Sequence, residues 1–193
     1  SNIDQIVLEQ TLANFERWNK QGLRVPRVSV NVSARRLHDE ELIATVKRMN
    51  IKPGTLSFEL LESIFLDETD EIVRWNVDQL KELGIDIEID DFGTGYASIV
   101  SLLKLQPRRL KIDRQLIQPI VKAPRQRHLV ESIVDIGKTL GIAVIAEGVE
   151  TVEHARILKK IGCDELQGFA FGVPLNAAEL EQYLRNRSWR AVS

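Results

Sequence analysis

Short β-branched runs alternate with helical stretches six times along this chain, and few folds accommodate so regular a strand-helix rhythm. The strand-like runs fall at residues 27–32, 56–61, 86–90, 109–112, 143–146 and 165–169. Helical periodicity follows each of them, at 38–49, 68–83, 96–105, 127–140, 152–161 and 177–187, and a further helix over 3–20 opens the chain. Gly84, Gly141 and Gly162 stand at helix ends, where glycine supplies a left-handed cap. Such alternation implies parallel strands covered by helices, either as a doubly wound sheet or as a (β/α)8 TIM-type barrel.

The strand ends separate the two architectures. Each strand finishes in a group able to meet a metal or a phosphate: Asn31, then Glu59 and Glu62, Asp90 and Asp91, Lys111 and Asp113, Glu147 and Glu150, and Gln167. A barrel converges all its strand ends on one face, whereas a doubly wound sheet gathers its site at one switch point. The expected fold is therefore an α/β barrel. Such a barrel has eight strands, so with six visible after an opening helix, about two N-terminal strands are expected upstream of this chain. No low-complexity stretch or tandem repeat divides residues 1–193, which are expected to form one N-terminally truncated domain.

Charge and composition narrow the function by exclusion. The 26 basic and 28 acidic residues nearly cancel, which argues against a chain held on nucleic acid or lipid by bulk electrostatics. No apolar stretch approaches the roughly 20 residues that span a bilayer, so no membrane segment is expected within this chain. Cys163 is the only cysteine, which excludes an internal disulfide and fits a reducing, cytoplasmic setting.

Asn31, Glu59, Asp90, Asp91, Glu147 and Glu150 would bring several hard oxygen ligands around one cavity, where uncompensated carboxylates repel. A divalent cation relieves that repulsion. Oxygen donors without a histidine or thiolate cluster suit Mg²⁺ or Mn²⁺, and so acidic a group has room for two ions of the kind that cleave phosphodiesters. Lys111, held near Asp113, would add a fixed positive charge beside the water or phosphate. Structural readings compete at each position. Asn31-Val32-Ser33 also reads as a turn or N-cap, Glu147 and Glu150 as acids favouring a helix N-terminus, and Lys111 as a simple partner of Asp113. Adjacent acids at Asp90-Asp91, after the alternating Ile85, Ile87 and Ile89, are harder to explain without a counter-ion. Gly93-Thr94-Gly95 lacks the third glycine of a dinucleotide fingerprint and reads as a mobile loop. Arg108-Arg109 and Arg125 to His128 read as solvated faces.

Asp90-Asp91-Phe92-Gly93-Thr94-Gly95-Tyr96, then Leu110-Lys111-Ile112-Asp113 and Ala146-Glu147-Gly148-Val149-Glu150, closely resemble the EAL family of cyclic di-GMP phosphodiesterases. Asn31-Val32-Ser33, Glu59-Leu60-Leu61-Glu62 and Gln167-Gly168 match further family motifs in the same order. The resemblance implies hydrolysis of cyclic di-GMP to linear pGpG in bacterial second-messenger signalling. It implies that Asn31, Glu59, Asp90, Asp91 and Glu147 ligate metal and that Lys111 orients the nucleophilic water. Asp113, Glu150 and Gln167 would support the site, and residues 92–98, including Phe92, Gly93, Thr94 and Gly95, would couple substrate, metal and dimer contacts. Homodimers are implied, as are attached sensory or diguanylate cyclase (GGDEF) domains, and a parent protein able to be membrane-anchored. The family's E-A-L-x-R motif belongs upstream of Ser1. Leu61 stands where threonine is usual, and Gly172-Val173-Pro174 replaces a more polar segment. These departures keep open a degenerate domain that binds cyclic di-GMP, or a protein partner, without cleaving it.

Overall fold

The structure is a computed structural model and describes residues 2–65, 70–95 and 99–186. In chain order the elements are α1 (Asn2–Lys20), β1 (Val28–Asn31), α2 (Ala34–Leu37), α3 (Leu42–Arg48), β2 (Leu56–Leu61), α4 (Glu71–Glu82), β3 (Asp86–Phe92), α5 (Ile99–Leu105) and β4 (Arg109–Ile112). They continue with α6 (Arg114–Ile117), α7 (Pro124–Leu140), β5 (Ala143–Ala146), α8 (Val152–Ile161), β6 (Glu165–Leu166) and α9 (Ala177–Arg185), and 3₁₀ turns span Glu62–Phe65 and Gln118–Val121.

All the strand pairings are parallel, and the strands lie in the order β1-β2-β3-β4-β5-β6. Sequential order without a reversal is the winding of a TIM-type barrel, and it rules out the doubly wound alternative. Alternation along the strands sorts the two faces. Leu56, Phe58 and Leu60 of β2, Ile87 and Ile89 of β3, and Leu110 and Ile112 of β4 are all at most 1% exposed and pack beneath the helices. Each such side chain contributes roughly 1.5–3 kcal/mol on burial. The intervening residues, Glu59, Glu88, Arg109 and Lys111, face the barrel interior, which is thus lined by charge where such barrels usually stack aliphatic side chains.

Several boundaries differ from the sequence reading, for local reasons. The helix expected over 38–49 begins only at Leu42, as α3, and is preceded by an additional short helix, α2, which Ser33 caps by accepting from the Arg36 N–H. The helix expected from 127 begins at Pro124, because proline is suited to a first helical turn. Asp113 caps the additional short helix α6 through the Gln115 N–H. The strand expected over 165–169 pairs only at Glu165–Leu166. The expected helix starts at 68 and 96 and the helix end at 187 lie outside the described residues. Gly141 and Gly162 close α7 and α8 in the left-handed conformation, as expected.

Candidate metal centre

Four neighbouring strands deliver the charged cluster. Lys111, on the interior face of β4, has a side chain only 5% exposed. Its Nζ lies 3.0 Å from Glu59 Oε2 at β2, 2.9 Å from Asp90 Oδ1 on β3, and 2.8 Å from Glu147 Oε1 just beyond β5. Asp113, which the sequence offered as its partner, instead caps α6 and faces the carboxyl of Asp91.

One ammonium serves three half-buried carboxylates, and the titration of the groups reflects that imbalance. Burial pushes Glu59 and Glu147 above the usual carboxylate range, and the charge of Asp90 adds to the push, with Lys111 offsetting it only in part. Burial, then Asp90 and Asp113, likewise raise Asp91. For Lys111, burial works against the charged form, but the Glu147 hydrogen bond and the Glu59 and Asp90 carboxylates outweigh it and hold the ammonium above its ordinary value. Ligand oxygens of Asp90, Asp91 and Glu147 all lie within 4.8 Å of one another. Hard oxygen donors at that separation, in mutual repulsion, fit a divalent cation of the Mg²⁺, Mn²⁺ or Ca²⁺ kind.

The remaining predicted residues are placed less centrally. Asn31 pairs in register with Glu59 at the end of β1, with its side chain exposed. Gln167 follows β6, also exposed, and its backbone links Ala146 to Val149. Glu150 is turned away from the cluster and accepts a hydrogen bond from Gln118 Nε2 at 2.9 Å. Phe92 ends β3 against the core. Gly93 and Gly95, expected in a mobile loop, are anchored: both donate their backbone N–H to Glu62 Oε2, at 3.0 and 3.1 Å, while the Thr94 hydroxyl donates to Asp91 O. The rest of the expected coupling segment, 96–98, lies outside the described residues. Glu62, read from the sequence as a strand-end group able to meet a metal or a phosphate, is instead the acceptor that organises this loop. Its spacing from Glu59 marked it as a strand-end acid, but its partners lie 31 and 33 residues onward.

Arg109 corrects another expectation. It is 7% exposed rather than solvated, and beneath the cluster it pairs with Glu88 at 2.9 Å and Glu165 at 3.4 Å. Glu165 also binds Arg27 at 2.7 Å, so an ion-pair chain crosses the interior from β3 to the segment before β1. Arg127, too, is committed, donating to the backbone carbonyls of Ile120 and Val121. His154 is buried and bonded to Thr151 and to the Gln118 carbonyl, a structural position.

A family model described as the EAL domain matches residues 1–174. The chain belongs to the EAL domain family. Among EAL relatives, the cyclic di-GMP phosphodiesterase PdeR of Escherichia coli (strain K12) is 33% identical over 189 residues, which is 96% of this chain and 28% of that protein. This chain spans about a quarter of the length of the curated relatives it matches. Among solved structures, PaMucR phosphodiesterase in its c-di-GMP complex is 34% identical with a TM-score of 0.85, covering 93% of this chain and 74% of that one. A manganese and cy-diGMP complex of Klebsiella pneumoniae BlrP1 is 29% identical with a TM-score of 0.69, covering 77% of this chain and 39% of that one. Among the described residues, no helix of this EAL domain is long and apolar enough to cross a membrane.

Proposed function

We propose that this EAL domain is a metal-dependent phosphodiesterase that opens one phosphodiester bond of cyclic di-GMP to give linear pGpG. The observation that carries the reading is the convergence of Asp90, Asp91 and Glu147, with oxygens within 4.8 Å of one another, around an interior lysine. In this reading those three acids, with Glu59 and Asn31, hold two Mg²⁺ or Mn²⁺ ions. Such ions supply Lewis-acid activation of water and neutralise charge on the attacking and leaving oxygens. Lys111 orients the water for addition to phosphorus, the bond from phosphorus to one ribose oxygen breaks, that oxygen takes up a proton, and the single linear product carries both the terminal phosphate and the new hydroxyl. Glu62 keeps Gly93 and Gly95 folded over the cluster, Asp113 positions Asp91, and Phe92, Thr94, Glu150 and Gln167 shape the surrounding loops.

The same reading extends to assembly and setting. Ile99, Val100 and Leu103 of α5 are each at least half exposed on one apolar helix face, which supports a homodimer formed there. The much greater length of the relatives supports attached sensory or GGDEF domains. We place the domain in the cytoplasm, in keeping with the single free Cys163.

The test is chromatographic detection of pGpG after incubation of cyclic di-GMP with Mn²⁺ or Mg²⁺, using this chain beside a form lengthened at its N terminus, with Asp90→Asn as control. Product from the lengthened form and none from its Asp90→Asn variant is the expected result. A folded lengthened form that binds cyclic di-GMP without cleaving it would replace catalysis with the receptor reading.

A further inference from the structure

Three carboxylates crowd around the ammonium of Lys111 in this structure. It donates a hydrogen bond to Glu59 Oε2 at 3.0 Å and is ion-paired with Asp90 Oδ1 at 2.9 Å and Glu147 Oε1 at 2.8 Å. Three different strand ends supply these carboxylates, and the lysine side chain is only 5% exposed. Two of the three, Asp90 and Glu147, belong to the carboxylate group able to hold an ion. The lysine and a divalent cation therefore draw on the same carboxylates.

We infer that Lys111 is a counter-cation for these carboxylates that competes with a divalent ion for Asp90 and Glu147, and that ion binding loosens its pairing with them and leaves its ammonium to meet water or phosphate. Two consequences follow from Coulomb's law. Lys111 holds the carboxylates together when no ion is bound, and it lowers the affinity for the ion that replaces it. The inference rests on the metal-binding reading above.

Calorimetric titration of this chain with Mn²⁺ tests it, comparing the parent with Lys111→Met, Lys111→Gln and Asp90→Asn. Both lysine variants are expected to bind Mn²⁺ about tenfold tighter or more, because a positive charge a few ångströms from the ion has been removed. In the unsubstituted chain, the ¹H–¹⁵N resonance of the Lys111 ammonium is expected to shift or broaden as Mg²⁺ saturates the site. Equal or weaker Mn²⁺ affinity in a lysine variant with a parental circular dichroism spectrum overturns the inference, as does an unmoved Lys111 resonance at saturating Mg²⁺. Failure of the metal reading looks different. There the parent chain binds no Mn²⁺, or Asp90→Asn binds it as tightly, and the inference falls with it.

Discussion

Asp90 and Asp91 are adjacent in sequence, yet oxygens of both carboxylates lie within 4.8 Å of each other and of Glu147. In a regular strand, successive side chains point to opposite faces. The β3–β4 register runs from Ile89↔Leu110 to Phe92↔Ile112, so β3 carries one residue more than its partner there. Asp91 takes up the excess with a φ of 54°, a left-handed conformation that turns its carboxylate back toward that of Asp90. Two like charges are thereby forced together at a strained backbone position.

Asp91→Asn is expected to relieve that repulsion while keeping a residue that tolerates the left-handed conformation. The metal-free chain should melt about 1–3 °C higher, and Mn²⁺ binding should fall sharply. Differential scanning calorimetry with and without Mn²⁺ measures both. A lower melting temperature in the absence of metal would count against the strain argument.

Glu62 is 3% exposed and receives the N–H groups of both Gly93 and Gly95. Glu62→Ala leaves those donors without their acceptor, at a cost of about 1–3 kcal/mol. Faster hydrogen exchange at the Gly93 and Gly95 amides, together with reduced turnover, is the expected outcome. Unchanged exchange there would mean that the loop is held by other contacts.

A Cβ at Gly168 would sit 2.3 Å from both the backbone nitrogen and the backbone oxygen of Val149. That backbone accepts from the Ala170 N–H and donates to the Gln167 carbonyl, so it cannot yield without losing both bonds. Gly168→Ala is expected to destabilise the domain by about 3 kcal/mol or more, as read by urea denaturation. A loss under about 1 kcal/mol would show that the junction gives way easily.

His38 is flanked by two acceptors, the Ala34 carbonyl at 2.7 Å from Nδ1 and the Asp70 carboxylate at 2.5 Å from Nε2. The Ala34 carbonyl, then Asp70, raise the imidazole above its ordinary value of 6.5. The stabilisation is fully present below about pH 6.5 and is lost as pH rises through the higher folded value. Asp70 is held below its ordinary 3.8, first by the Val73 N–H, so its share persists above that value and disappears as pH falls through the lowered one. Proton NMR should give His38 a pKa above 6.5 that drops in Asp70→Asn; an identical pKa in the two proteins would remove Asp70 from the explanation.

The strand-helix rhythm was legible because it is local. Alternation of Leu56, Phe58 and Leu60 with Ser57 and Glu59 marks which side of β2 meets the helices before any partner strand is known. The acids at the strand ends were legible for the same reason, since parallel strands of one winding bring their C-terminal ends to one face. Local pattern was a poorer guide to helix starts, and the caps at Ser33 and Asp113 begin short helices ahead of the stretches where helical periodicity is read.

What the sequence by itself determined is the winding of the chain and the set of residues available at one end of the barrel. Only the tertiary structure decided which of them meet. Lys111 finds Glu59 across 52 residues, Arg109 finds Glu88 beneath it, and Glu150 turns outward to Gln118 although it lies three positions from Glu147. These choices depend on strand register and on a single bulge in β3, and a slip of one residue exchanges every interior side chain for an exterior one. Register is fixed by pairing between distant segments, so it leaves no periodic trace in the segments themselves.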